Sequence, residues 1–166
     1  DELVAKSVSA LGAYQSLIKL RLDMNNKKTN WIVALGNILQ TTKLRELILN
    51  RNNIDDEGAA ILGVALGRNT TLKKLSMEYN KSISTVGWRS FLQRLSGNST
   101  LEELNISDNC LDDQVLVELA RGFGTNANLK SLIISTVKEE SSVSQFGWRK
   151  LLHSVMRPDS VIEKLD

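Results

Sequence analysis

Leu44-Arg45-Glu46-Leu47-Ile48-Leu49-Asn50-Arg51-Asn52 spaces three leucines and an asparagine as Leu-x-x-Leu-x-Leu-x-x-Asn. Upstream the phrase reads Leu17-x-x-Leu20-x-Leu22-x-x-Asn25. Downstream it returns with conservative exchanges as Leu72-x-x-Leu75-x-Met77-x-x-Asn80 and Leu101-x-x-Leu104-x-Ile106-x-x-Asn109. A fifth copy, Leu129-x-x-Leu132-x-Ile134, keeps the apolar places but has Val137 where asparagine is expected. Starts at 17, 44, 72, 101 and 129 lie 27, 28, 29 and 28 residues apart, so the chain is a repeat array.

Within each phrase the apolar fourth and sixth places alternate with polar ones, the period of a strand with one buried face. Short strands are therefore expected at 18–22, 45–49, 73–77, 102–106 and 130–134. After each strand and turn comes an apolar stripe at helical spacing: Ile32, Leu35, Leu39; Ala59, Leu62, Leu66; Trp88, Phe91, Leu95; Leu116, Leu119, Phe123; and Trp148, Leu151, Val155. Trp31 falls one place earlier in its helix and is expected to be partly exposed. Strand, helix and a next strand of the same direction require a parallel sheet. Helices are wider (about 10 Å) than the strand spacing (about 4.8 Å), so the stack curves with the sheet inside. The predicted fold is an α/β solenoid, a horseshoe with a concave parallel sheet and convex helices. The ninth-place asparagine satisfies backbone groups stranded where the chain turns inward, and stacked copies form a ladder. Val137 cannot do this, and the longer polar segment 138–145 follows it directly.

A solenoid core is a long thin stack rather than a sphere, so 166 residues set no limit on its extent. Residues 1–16 read as the helix closing a preceding repeat, and residues from 161 open a sixth strand phrase. Residues 1–166 thus form one repeat domain, expected to be cut from a longer array and to self-associate through uncapped ends. The 21 Lys+Arg against 19 Asp+Glu give +2, too even for a nucleic-acid or membrane surface. No apolar run reaches the roughly 18 residues of a membrane span. A single cysteine, Cys110, excludes an internal disulfide and fits an intracellular, cytoplasmic setting. The sequons at Asn69, Asn98 and Asn105 are read as by-products of the repeat, because the first two stand just before a strand, where a polar turn residue is wanted, and the third falls inside a strand.

The phrase, its helices and a period near 28 resemble the ribonuclease-inhibitor-like class of leucine-rich repeat proteins, and the tract 44–62 matches that class closely. The resemblance implies protein–protein binding through the concave sheet and neighbouring loops. Family members include enzyme inhibitors, GTPase-activating proteins, actin-assembly regulators and sensing domains of immune receptors. No catalytic residue carries over.

A search for chemistry yields no catalytic, metal or cofactor set. His153, the sole histidine, stands alone on a helix. Asp55-Asp56-Glu57 and Asp112-Asp113 each precede a helix, where carboxylates cap free N–H groups. Glycines match no phosphate-binding fingerprint. Side chains flanking the buried leucines point into the concavity: Lys19, Glu46, Lys74, Glu103, Ser131 and Lys164 in the third place, with signs that alternate and pair. Tyr, Arg and Met are types enriched in protein interfaces, and Ile48 and Ile133 are apolar residues expected to face solvent without a packing reason; Arg21, Met24, Ile48, Arg51, Tyr79 and Ile133 are the expected partner-binding set. Lys138, Glu139 and Glu140 form a second candidate in the irregular loop. The expected function is a non-catalytic scaffold for a protein partner, without nucleic acid, cofactor or membrane span. The alternatives are a regulator of an enzyme, such as a GTPase-activating protein, and a structural subunit of a larger assembly.

Overall fold

The structure, a computed structural model, describes residues 2–23, 30–123, 128–135, 142–156 and 163–165. Among these described residues six helices alternate with six strands: α1 Glu2–Leu11, β1 Lys19–Arg21, α2 Asn30–Thr41, β2 Glu46–Ile48, α3 Asp56–Arg68 and β3 Lys74–Ser76, then α4 Thr85–Leu95, β4 Glu103–Asn105, α5 Asp113–Phe123, β5 Ser131–Ile133, α6 Gln145–Val155 and β6 Lys164–Leu165. The strands form one parallel sheet in chain order, as the strand–helix–strand reasoning requires. Each full strand is three residues long, shorter than the alternation alone indicates. The register aligns Leu20, Leu47, Leu75, Leu104, Leu132 and Leu165. Those leucines face the helices and, with the helical stripes, make one continuous core between the two layers. Trp31 is 1% exposed, which corrects the expectation of partial exposure. Helix α2 buries a wide arc, Trp31, Ile32, Ala34, Leu35, Ile38 and Leu39, so the place before Ile32 still faces inward. Trp148 is half-buried against the core.

The asparagine ladder forms as its chemistry demands. Asn80 Oδ1 accepts from Asn52 N and Ile54 N, both at 3.1 Å, while Asn80 Nδ2 donates to Leu49 O at 2.9 Å and Met77 O at 3.0 Å. Asn109 Oδ1 in turn accepts from Asn80 N at 2.7 Å. Each side chain thus satisfies backbone groups of its own and the preceding repeat. Asn25 and Val137 lie outside the described residues.

Sequence reasoning missed a second ladder on the opposite edge of the core. Asn98 Nδ2 donates to Leu66 O at 2.7 Å, and its Oδ1 accepts from Leu101 N at 2.7 Å. Asn69 makes the same bonds one repeat earlier, to Leu39 O and from Leu72 N. Both side chains are buried, so the first two sequons are structural joints between helix and strand.

The helices are joined by a device that recurs every second repeat. Asp55 and Asp112 cap their own helices, accepting from Gly58 N and Val115 N at 2.9 Å. Their neighbours Asp56 and Asp113 reach the next helix instead, which corrects their reading as caps of their own helices. Asp56 accepts from Ser84 N at 2.7 Å and Ser84 Oγ at 2.6 Å, and Asp113 does the same with Ser144. Ser84 and Ser144 are themselves the N-caps of α4 and α6. Hydrogen bonds from the Ser144 hydroxyl and backbone hold the Asp113 carboxyl below the usual aspartate range. Gly87 and Gly147 admit these carboxylates: a methyl group on either would lie 2.3 Å from Asp56 Oδ1 or 2.5 Å from Asp113 Oδ1. The clasps draw α3 onto α4 and α5 onto α6, and α3 packs more extensively on α4 than on α2.

Candidate functional site

The sheet's outer face carries the third-place column as a ladder of charge. Lys19 Nζ lies 2.7 Å from Glu46 Oε1 and Lys74 Nζ 2.9 Å from Glu103 Oε2, across paired strands. A hydrogen bond to Glu103 and its charge raise the Lys74 ammonium above the usual lysine range. One residue earlier, Glu102 receives Lys73 at 2.7 Å and Lys130 at 3.6 Å, and the Lys73 bond lowers its carboxyl below the usual range. These pairs are exposed, so each contributes about 0–1 kcal/mol and mainly cancels local field. The face is left near neutral.

Where the strands end, the backbone changes hand. Arg51, Tyr79 and Asp108, equivalent places in three successive repeats, have φ of 58°, 58° and 55°. Such conformations are uncommon for non-glycine residues and persist where surrounding structure over-determines them. Here the cause is a ladder three residues past the strands: Arg51 N donates to Glu78 O at 2.9 Å, Tyr79 N to Ser107 O at 3.0 Å, and Asp108 N to Ser135 O at 2.7 Å. The Arg51 guanidinium lies 5.2 Å from the Tyr79 ring centroid and Lys81 Nζ 4.1 Å from it, so two cations contact the aromatic ring. Tyr79 nevertheless stays 41% exposed. Beside it is a hollow of about 330 Å³ lined by Arg21, Asp23, Asn50, Arg51 and Glu78. Arg21 Nε donates to Asp23 Oδ2, and Asn50 Oδ1 receives Ser76 Oγ at 2.7 Å, which fixes the floor.

The expected partner-binding residues divide in this geometry. Arg21 and Arg51 line one hollow, with Tyr79 stacked beside Arg51. Ile48 pairs with Arg21 in the register and is half-buried rather than open to solvent. Ile133 is also half-buried and stands three strands from Ile48, about 14 Å at ordinary strand spacing, so it belongs to a separate patch. Met24, Lys138, Glu139 and Glu140 lie outside the described residues. Lys81 joins the cluster without having been singled out, because it sits in a turn where no periodicity marks it. Its signal was only its position two residues after an exposed tyrosine.

Elsewhere, His153 is exposed on α6. No helix among the described residues is long and apolar enough to cross a membrane.

A family model described as "Leucine Rich repeat" matches residues 40–62, 68–92 and 97–120, three consecutive units of this geometry. The chain is a leucine-rich repeat protein. Among curated relatives, it is 34% identical over 94 residues to leucine-rich repeat-containing protein AAC1 of Dictyostelium discoideum, a match covering 54% of this chain and 12% of that protein. It is 37% identical over 82 residues to protein TORNADO 1 of Arabidopsis thaliana, covering 49% of this chain and 6% of that protein. The chain therefore spans a small fraction of the length of either relative. Among solved structures it is similar to the tropomodulin C-terminal domain of Caenorhabditis elegans, with a TM-score of 0.71, 14% identity and 90% of each chain covered. It is also similar to a leiomodin-1 domain titled actin-binding site 2, with a TM-score of 0.69, 15% identity, 91% of this chain and 84% of that one. At such identity these likenesses speak for the leucine-rich-repeat solenoid alone.

Proposed function

We propose that this leucine-rich-repeat stretch is a non-catalytic module that binds a protein partner at the rim of its concave face, around Arg51, Tyr79 and Lys81. The observation that carries the reading is an exposed tyrosine on left-handed backbone, contacted by two cations. It is a rigid aromatic anchor with little side-chain freedom left to lose on binding. Ile48 and Arg21 extend the patch along the sheet, while Asp23, Glu78 and Asp108 give its border negative charge. Such a surface fits a partner segment that brings an apolar or aromatic residue over Tyr79 and an acidic group towards Arg51 and Lys81.

The leiomodin-1 domain named for actin binding makes actin the first partner to assay. The general test is affinity capture with the wild type and the Ile48→Asp/Tyr79→Ala double variant, followed by mass spectrometry. Partners held by the wild type are expected to be lost by the variant while far-ultraviolet circular dichroism stays the same. Undiminished capture would remove the concave rim as the site.

A further inference from the structure

The even charge balance of the whole chain conceals a separation between the two edges of the sheet–helix stack. Helices α3, α4 and α5 carry Arg68, Arg94 and Arg121 in their last turns. Strands β2, β3 and β5 open behind Lys43 and Arg45, Lys73, and Lys130. From the end of α2 to the start of β5, Glu102 is the one carboxylate on this edge among the described residues. The opposite edge, where strands end and helices begin, carries Asp55, Asp56, Glu57, Glu78, Asp108 and the Asp112–Asp113 pair against Arg51 and Lys81.

The basic edge is also left uncompensated. Glu102 is shared between Lys73 and Lys130, and Glu118 takes Arg121 at 3.1 Å. Lys43, Arg45, Arg68 and Arg94 are exposed and have no carboxylate partner among the described residues. Close packing gathers them. A methyl group on Gly63 would lie 3.0 Å from Phe91 Cα, and one on Gly67 3.2 Å from Arg94 O, so the backbones of Arg68 and Arg94 are neighbours. On the strand side Lys73 N donates to Arg45 O at 2.8 Å, which sets Arg45 beside Lys73. A cation near a helix C-terminus complements the macrodipole, which accounts for Arg68 and Arg94 one at a time. It does not account for Arg45 at the opening of a strand, nor for like charges gathered along one edge.

We infer that this basic edge is a second protein-binding surface, which takes an extended acidic segment of a partner polypeptide. Helices lie about 10 Å apart, so a segment rising about 3.3 Å per residue meets a new arginine at every third residue. An arginine receives a carboxylate through two parallel hydrogen bonds, which suits single carboxylates placed at that interval. A nucleic-acid duplex fits less well. It carries a charge about every 1.7 Å along its axis and would press phosphates onto Glu102 and onto Glu46 and Glu103 beside it on the sheet. A polypeptide leaves those places uncharged. The concave rim at Tyr79 lies on the opposite edge, so the two surfaces are separate.

Fluorescence anisotropy on the whole chain tests this, with a labelled peptide that carries glutamate at every third residue between glycine and serine. The wild type is expected to bind it with an affinity that falls as salt is added. Arg68→Glu/Arg94→Glu is expected to weaken binding by about tenfold or more, and Arg68→Gln/Arg94→Gln, which adds no repulsion, by a smaller factor. Arg149→Glu/Lys150→Glu makes an equal charge change at exposed places on α6 and is expected to weaken it by about twofold at most. Tyr79→Ala is expected to bind as the wild type does, which separates this surface from the concave rim. No binding by the wild type overturns the inference. So do equal losses from the pairs 68/94 and 149/150, which would leave only net charge. Tighter binding of a DNA duplex of similar length than of the peptide overturns it as well, and would make the edge a nucleic-acid surface.

Discussion

The clasp between helices makes one substitution act with opposite sign at two glycines. In a helix, Gly→Ala ordinarily stabilises by about 0.5–1 kcal/mol through backbone entropy. At Gly36 the added methyl would meet Ala65 Cβ at 3.7 Å, an ordinary contact, so Gly36→Ala should retain that gain. At Gly87 the same methyl would stand 2.3 Å from Asp56 Oδ1 and 2.9 Å from Asp56 Cα. Rotating the carboxylate away breaks the two bonds from Ser84, about 1 kcal/mol each, and still leaves the backbone contact. Forcing the helices apart adds roughly 1–3 kcal/mol, as overpacking does elsewhere. Set against the helical gain, Gly87→Ala should destabilise by roughly 2–4 kcal/mol. For a chain of this size each kcal/mol moves Tm by about 2–4 °C, so the two variants should shift melting in opposite directions. Urea unfolding followed by circular dichroism would give both values. Equal effects at positions 36 and 87, or no loss at 87, would refute the claim that α3 and α4 are clasped more tightly than α2 and α3.

Three further outcomes are expected. Asn80→Ala removes a partner of Asn52 N, Ile54 N and Leu49 O, so at about 1–3 kcal/mol per group it should cost roughly 3–9 kcal/mol in urea unfolding. Stability should be flat near neutral pH and fall at both extremes. Asp113 and Glu102 are lowered on folding, so their contribution is present above the ordinary carboxylate range and lost as pH falls through their folded values. Lys74 is raised, so its contribution is present below the ordinary lysine value and lost as pH rises through the folded one. Melting curves at low and high ionic strength would check this, and the alkaline loss should shrink in salt because the Lys74–Glu103 pair is exposed. Thr71→Ala removes the third residue of the Asn69-Thr70-Thr71 sequon yet should change stability by less than Asn69→Ala, since the buried Asn69 amide holds Leu39 O and Leu72 N.

What was legible in the sequence is what the repeat repeats. Leu47 and Leu75 mark the core because their places recur, and Asn80 marks the inward turn for the same reason. The column Lys19, Glu46, Lys74, Glu103 was legible because the register follows the phrase without slippage. Trp31 was misread because a stripe counted at i, i+3, i+7 describes a narrow face, whereas α2 buries a broad one. The clasps were written in the chain as Asp-Asp in the second and fourth repeats and Ser-x-x-Gly-Trp-Arg in the third and fifth. They went unread because the bond joins different residue types about 28 positions apart, a relation that comparing equivalent places does not reveal. The proposed binding rim was half legible: Arg51 and Tyr79 stood in one column, but their left-handed backbone and the approach of Lys81 arise from the turn. The separation of Ile133 from Ile48 follows from counting strands.

The central claim is that a protein partner meets the concave rim at Tyr79. Site-specific photo-cross-linking tests it most directly, with a benzophenone side chain placed at Tyr79 in one variant and at exposed Val86 on α4 in another, each mixed with a captured partner or with actin. The predicted result is a covalent adduct from position 79 and none from position 86. An adduct from position 86 alone would contradict the account and move the binding surface to the helices.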